Sequence, residues 1–185
     1  MTTQWLLKND LQAFFDKFPN ATYEEQFEQP NVWIPSEELS DVFEFIKNNK
    51  DYPMEMLVDI TAVDYLSSDY AEKPNHTGRE EDLLSETRFD LVYHFYSFSK
   101  NKRVRIITSC GGEHPEVVSS YKWWKSAHFQ EREVWDLFGI KFKDHPDLRR
   151  ILLYKEFEGF PLRKDYPVMG EQPRLEFRTL ENDNG

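Results

Sequence analysis

Residues 89–108 limit the possible folds more than any other stretch of this chain. Phe89–Phe98 is dense in aromatic and β-branched residues, the composition of a strand. Arg103–Thr108 sets Arg103 and Arg105 against Val104 and Ile106 in strict alternation, which makes one face apolar and the other polar. Between them, Ser99-Lys100-Asn101-Lys102 closes a hairpin. The fold must therefore cover one face of an antiparallel pair and leave the other open to polar groups.

The segments around the hairpin supply that cover. Trp5, Leu6, Leu11, Phe14, Phe15 and Phe18 recur at roughly helical spacing and predict a first helix over about 3–17, stopped by Pro19-Asn20. Thr22–Phe27 and Val32–Ile34 read as short strands either side of Gln29-Pro30-Asn31. Ser36 is the expected N-cap of a second helix, with Glu37 and Glu38 in its first turn and Leu39, Val42, Phe43 and Ile46 on one face. Met56–Val63 predicts a central strand ending at Asp64. The order α-β-β-α-β-β-β predicts an α+β two-layer sandwich, with helices on one face of a small mixed sheet.

Two segments do not fit a compact core. Asp69–Glu86 is polar, acidic and rich in breakers, and reads as a mobile surface insertion. Beyond Phe157 come Pro161, Pro167 and Pro173 with few periodic apolar positions, so this tail is either disordered or an extended arm laid along another protein. The expected division is a core over 1–140, carrying the 69–86 insertion, and a partner-binding C-terminal arm over 141–185.

Charge and cysteine content narrow the function. There are 23 basic and 34 acidic residues, a net charge of −11, which argues against nucleic acid or an anionic membrane as the main partner. Cys110 is the single cysteine, so no internal disulfide is available, and one thiolate does not hold an iron–sulfur cluster. No apolar run reaches the roughly 18 residues of a membrane span, and the N-terminus has no basic and apolar signal pattern. A soluble chain, or one peripheral on a larger assembly, is expected.

Ala127–Leu153 concentrates charge and large aromatics together, where ordinary surface helices separate them. A helix over about 121–138 would end at Gly139, a residue that tolerates left-handed φ. On it Arg132 and Asp136 are i,i+4 neighbours and Glu133 and Asp136 are i,i+3 neighbours. Glu133 and Asp136 are either a carboxylate pair for a metal or proton transfer, or part of a charge network that orders a helix end or docks a partner. No two histidines sit at i,i+3 or i,i+4; His94 reads as a packed strand residue, and His145-Pro146-Asp147 as a locally bonded turn. Cys110-Gly111-Gly112 ends a strand in a tight bend, and the sequence signals no basic residue that would activate the thiol. No phosphate loop, dinucleotide fingerprint or nucleophile elbow is present. Arg149, Arg150 and Arg163-Lys164-Asp165 are basic spots, either solvated charge or docking points for an acidic partner; the aromatics around them favour docking, since that is the composition of interface anchors.

Glu131-Arg132-Glu133-Val134-Trp135-Asp136-Leu137-Phe138-Gly139-Ile140, then Phe142 and His145-Pro146-Asp147-Leu148-Arg149-Arg150-Ile151-Leu152, resemble the signature of the C subunit of NADH–quinone oxidoreductase, respiratory complex I. Glu158-Gly159-Phe160-Pro161-Leu162-Arg163-Lys164-Asp165-Tyr166-Pro167 is similar to that family's second hallmark. Residues 69–86 depart from it, as an insertion in a loop that is usually short. The resemblance implies a structural subunit of the peripheral arm with no cofactor of its own. Around it the complex would use FMN, iron–sulfur clusters and quinone to pass electrons from NADH to quinone, coupled to proton translocation. It further implies contact with the D subunit of that complex and with neighbouring subunits, on the cytoplasmic side of the cell inner membrane. Related subunits in ferredoxin-linked and hydrogenase complexes share the pattern, and a free-standing metal-carboxylate enzyme is the rival of a different class. On the structural-subunit reading, the interface candidates are Glu131, Arg132, Glu133, Trp135, Asp136, His145, Asp147, Arg149, Arg150, Arg163, Lys164, Asp165 and Tyr166, with their charges satisfied across an interface.

Overall fold

In the computed structural model the hairpin forms as expected, between β5 (Phe89–Ser97) and β6 (Lys102–Cys110), paired from Phe89↔Cys110 to Ser97↔Lys102. Residues 4–26, 29–66, 87–169 and 172–173 are described. The expected insertion therefore lies outside the described residues, as does Phe27. At the hairpin turn Asn101 takes a φ of 52°, a left-handed conformation that asparagine tolerates.

Around this pair stand β1 (Gln4–Trp5), α1 (Gln12–Lys17), β2 (Thr22–Gln26), β3 (Gln29–Trp33), α2 (Leu39–Asn48) and β4 (Met56–Asp64). The order across the sheet is β2-β3-β6-β5-β4, with β1 also on β6. β4, β5 and β6 run as an antiparallel meander, whereas β1 and β3 pair parallel to β6, so the sheet is mixed. Alternation sends Leu57, Ile60, Ala62, Leu91, Tyr93, Phe95, Val104 and Ile106 inward, against Phe14 of α1 and Leu39, Val42, Phe43 and Ile46 of α2. Phe43 meets Tyr93, Trp123 and Trp124 edge-on at 5.3–5.7 Å. Each such aromatic or aliphatic side chain, fully buried, contributes about 1.5–3 kcal/mol. The α+β sandwich with helices on one face is what the sequence predicts.

The first helix is shorter than expected. Trp5 and Leu6 are extended and lie beside β6, with the Leu6 N–H donating to the Arg103 carbonyl at 2.9 Å. Pairing with an existing strand satisfies this backbone, while Asp10 accepts the Leu7 N–H at 3.0 Å and tightens the following 3-10 turn. Only Gln12–Lys17 is α-helical. The third helix also starts late, as α3 (Ala127–Phe138). The indole N–H groups of Trp123 and Trp124 are drawn to Glu44 and to the Met54 carbonyl at 2.6 and 2.9 Å, holding 120–126 as turns packed on α2 and the entry to β4.

β7 (Glu116–Val118) and β8 (Lys141–Lys143) form a two-stranded parallel sheet that sequence periodicity does not announce, each being three residues long. Phe142 of β8 is 3% exposed and belongs to the core, so the folded unit continues past residue 140. No helix among the described residues is long and apolar enough to cross a membrane.

Candidate functional site

The C-terminal turn of α3 is where the expected candidates collect. Gly139 caps the helix with a φ of 74° and donates its N–H to the Trp135 carbonyl at 2.8 Å. A side chain here would be strained and blocked, since a Cβ would lie 2.5 Å from the Phe160 ring and 2.6 Å from the Arg163 guanidinium. The chain after β8 bends back over this helix end.

Asp136 organises the bend. Its Oδ1 accepts Arg150 Nη1 at 2.7 Å, and its Oδ2 accepts the N–H groups of Ile151, Leu152 and Leu153 at 2.9–3.0 Å. Burial raises the carboxyl's pKa, but these backbone donors and Arg150 outweigh it and hold it below the ordinary carboxylate range. Arg150 also donates to the carbonyls of Asp136, Phe157 and Gly159, with its guanidinium 5.6–5.8 Å from the ring centres of Trp135, Phe157 and Phe160. Arg132, one turn earlier on α3, does not pair with Asp136. It donates to the carbonyls of Arg149 and Arg150 at 3.0 and 3.1 Å.

A second clasp lies farther along the tail. Arg88 is bidentate on Asp64 at 2.9 and 2.7 Å and also reaches Asp165 at 2.5 Å. Asp64 additionally accepts the N–H groups of Leu66 and Lys164. Burial pushes Asp64 up, and the Arg88 hydrogen bonds, these N–H groups and the Arg88 charge bring it below its usual value. Arg163 donates to the Phe138 carbonyl at 2.5 Å and lies over Phe89 and Phe160, while the Leu162 N–H donates to the Leu137 carbonyl. Tyr166 stacks on Phe157 and its hydroxyl meets Gln172.

Glu131 is 0% exposed and bound within its own chain, by the Ser119 hydroxyl and the Ser120 N–H and hydroxyl, each at 2.6 Å. Burial without a cation pushes it up to about 7 against those hydrogen bonds. His145 accepts the Asp147 N–H on Nδ1 at 3.1 Å and stacks on His128 at 5.0 Å, its Nε2 facing the His128 carbonyl. Burial lowers its pKa, favouring the neutral ring. The Asp147 carboxylate meets Arg149 at 2.9 Å on the surface. The side chains of Glu133, Arg149 and Lys164 are exposed and Trp135 is half-buried.

These contacts correct one expectation. The charges of Glu131 and Asp136 are not left for an interface to satisfy; both are fully buried and engaged by their own chain. A desolvated carboxylate costs several kcal/mol unless donors are already in place, and serine hydroxyls and the folded-back tail provide them. At the same atoms, Glu133 and Asp136 do not form the carboxylate pair that the catalytic rival invokes. Asp136 has its oxygens committed to four donors, Glu133 faces solvent, and no cluster of three ligand-type side chains fit for a metal occurs among the described residues. Asp64 and Arg88 were absent from the sequence candidates. Their signal was available, since Asp64 continues the inward alternation of Ile60 and Ala62, and an inward acid at a strand end calls for a cation.

Residues 32–172 match the family model described as respiratory-chain NADH dehydrogenase, 30 Kd subunit. The NADH-quinone oxidoreductase C subunit 2 of Rhizobium meliloti (strain 1021) is 39% identical over 142 residues, which is 77% of this chain and 68% of that protein. The C subunit of NADH-quinone oxidoreductase from Vesicomyosocius okutanii is 34% identical over 177 residues, covering 89% of this chain and 83% of its own. The chain spans about two thirds of the length of several other relatives of the same name that it matches. Among solved structures, the trypsin-resistant fragment (1–134) of Nqo5 superposes with a TM-score of 0.58 at 27% identity, over 75% of this chain and 98% of the fragment. The membrane-bound sulfane sulfur reductase, an archaeal respiratory membrane complex, shares the fold with a TM-score of 0.67 at 19% identity, over 88% of this chain and 86% of the other. The hallmark segments, the mixed α+β sheet and these likenesses agree: the chain belongs to the family of the 30 kDa subunit, the C subunit, of respiratory-chain NADH–quinone oxidoreductase.

Proposed function

We propose that this chain is a structural subunit of the peripheral arm of a proton-translocating NADH–quinone oxidoreductase, supporting electron transfer from NADH to quinone without carrying redox chemistry itself. FMN, iron–sulfur clusters and quinone would reside on other subunits. The chain's own ligand chemistry supports this reading: its one thiol, Cys110, is buried in the core, and the two buried carboxylates of the candidate site, Glu131 and Asp136, are taken up by donors of the same chain. The neighbours would be other subunits of the complex, chiefly the D subunit, and the place peripheral to the cell inner membrane on its cytoplasmic side.

One observation carries the role. The segment from Leu148 to Met169 has its backbone clasped to α3 and β4, yet it turns Leu152, Leu162, Val168 and Met169 outward, at 60, 48, 100 and 90% exposure. A tail whose polar groups are held inward and whose apolar groups face out presents the apolar core of an interface, rimmed by Arg149 and Lys164. The arm beyond residue 143 is thus the gripping surface and the sandwich its base.

The test is a double substitution that touches only the outward side chains. L152D/L162D should leave the thermal unfolding of the isolated chain unchanged and remove the chain from the tagged, purified complex. Normal co-purification of L152D/L162D with a fully active complex would defeat the proposal. Deleting the residues after Phe157 should likewise block assembly, but it also removes Asp165 from Arg88, so the surface substitutions are the cleaner experiment.

A further inference from the structure

The tail is not the only place with outward apolar groups. Helices cover one face of the sheet; the other carries Met56, Val58, Val63 and Phe98 at 39, 46, 40 and 63% exposure. Met56 and Tyr96 pair across β4 and β5, Tyr96 meets Phe98 edge-on at 5.0 Å, and Arg103 stands opposite Tyr96 on β6. Together with Val58, Asp59 and His94 these residues line a groove of about 440 Å³. Isolated exposed apolar residues need no explanation, but a groove of them flanked by cations does.

The cations are Arg103 and Arg105, which point to the same side from adjacent rungs of β6. They lie 5.3 and 5.4 Å from the ring centre of Trp5. Neither makes an ion pair among the described residues. Arg105 spends its guanidinium on two neutral acceptors, Asn31 at 2.9 Å and Gln29 at 2.6 Å, and its buried Nε has no partner. Its charge is partly desolvated with no carboxylate paired to it, and burial lowers its pKa. Between the arginines and β4, His94 is likewise held down, by burial first and then by Arg105 and Arg103, with Asp59 acting the other way. In a chain of net charge −11, two arginines without an ion pair, set against the one lining carboxylate of Asp59, mark the arginine side of the groove as a complementary surface.

We infer that the open sheet face is a second docking surface, fitted to an acidic segment of another subunit that places a large apolar side chain between Met56 and Phe98 and a carboxylate against Arg103 and Arg105. This rests on the reading that the chain works inside a multisubunit assembly. It is separate in space from the tail, so one chain would grip two neighbours, or one neighbour at two points. A second copy of this chain is the competing occupant.

The R103K variant tests the contact directly. Lysine keeps the charge and adds an amine, which a zero-length carbodiimide couples only to a carboxylate in direct contact. In the purified complex carrying R103K, mass spectrometry should find an amide from position 103 to an Asp or Glu of a different subunit. A link solely to this chain, or to a second copy of it, or no link in an assembled complex, overturns the inference. F98S/R103E should lower the fraction of chain retained in the complex about tenfold, equivalent to 1.4 kcal/mol, at unchanged thermal unfolding of the isolated chain. If L152D/L162D is released while F98S/R103E is retained, the sheet-face inference fails and the tail reading stands. If both are retained, both fail.

Discussion

Glu131 and Asp136 sit five residues apart on α3, both with no exposed surface, yet one is pushed up to about 7 and the other is held below the ordinary carboxylate range. Burial is common to both; the donors differ. Asp136 has a guanidinium and three backbone N–H groups from the tail, whereas Glu131 has two hydroxyls and one N–H from the Ser119-Ser120 turn and no cation. Desolvation therefore loses at Asp136 and wins at Glu131. The first carboxylate is an anchor whose partners are the arm itself, and the second is a core group that favours its proton. The carboxyl group and the helix are shared, so the difference comes from what the rest of the chain brings to each.

The largest effect is expected where the arm depends on one carboxylate. Asp136→Ala strands Arg150 and three N–H groups, and should cost about 3–5 kcal/mol in urea unfolding, with trypsin cutting at Arg149 and Arg150 much faster. A loss under 1 kcal/mol would show that Asp136 is no anchor. Next comes Gly139→Ala, which adds left-handed strain of about 1–3 kcal/mol and drives a methyl into Phe160 and Arg163. It should loosen the tail while leaving the near-UV signature of the β-sheet core intact.

The pH dependence divides the two carboxylates. Glu131 has a folded pKa above its ordinary 4.5, so the folded state binds more protons and stability falls as pH rises from about 4.5 to about 7, by at most roughly 1.4 kcal/mol per pH unit. Asp136 and Asp64 act in the opposite sense, contributing stability above the ordinary carboxylate range that is lost as pH falls below it. Glu131→Gln should abolish the loss on the alkaline side. Subtracting the E131Q curve from that of the native chain removes the contributions of His94 and His145, and a flat difference between pH 5 and 7 would contradict the assignment. The smallest effect belongs to Asp165→Ala. This carboxylate is 40% exposed, so solvent screening keeps its loss below about 1 kcal/mol, visible as faster proteolysis around Arg163 and not as a shift in global unfolding.

What could be read in advance follows the range of the interaction. The face of α2, the hairpin and the Gly139 cap depend on residues within a few positions of each other, and all stand where the sequence places them. The β1 pairing was illegible because Trp5-Leu6 continues the helical spacing of Leu11 and Phe14; only the neighbouring β6 edge makes the extended form better. Asp64, Arg88 and Asp165 meet across separations of up to 101 positions, and no local pattern carries that. From the candidate list around 131–166, Glu131, Asp136 and Arg150 prove to be engaged inside the chain, because a charge that pairs inside its own chain reads in sequence like one awaiting a partner.

Arg150 has a further consequence. One guanidinium takes up the carbonyls of Asp136, Phe157 and Gly159 and sits beside three aromatic rings, so the bend from Leu148 to Phe160 exists before any neighbour arrives. A floppy tail would surrender its conformational freedom on association, at roughly 0.5–1.5 kcal/mol for each side chain immobilised. Here that ordering is done during folding, and on the proposed docking role the apolar groups of the arm would meet their partner already in position. Assembly then becomes the docking of a preformed shape, and its kinetics should carry little of the signature of a segment that folds as it binds.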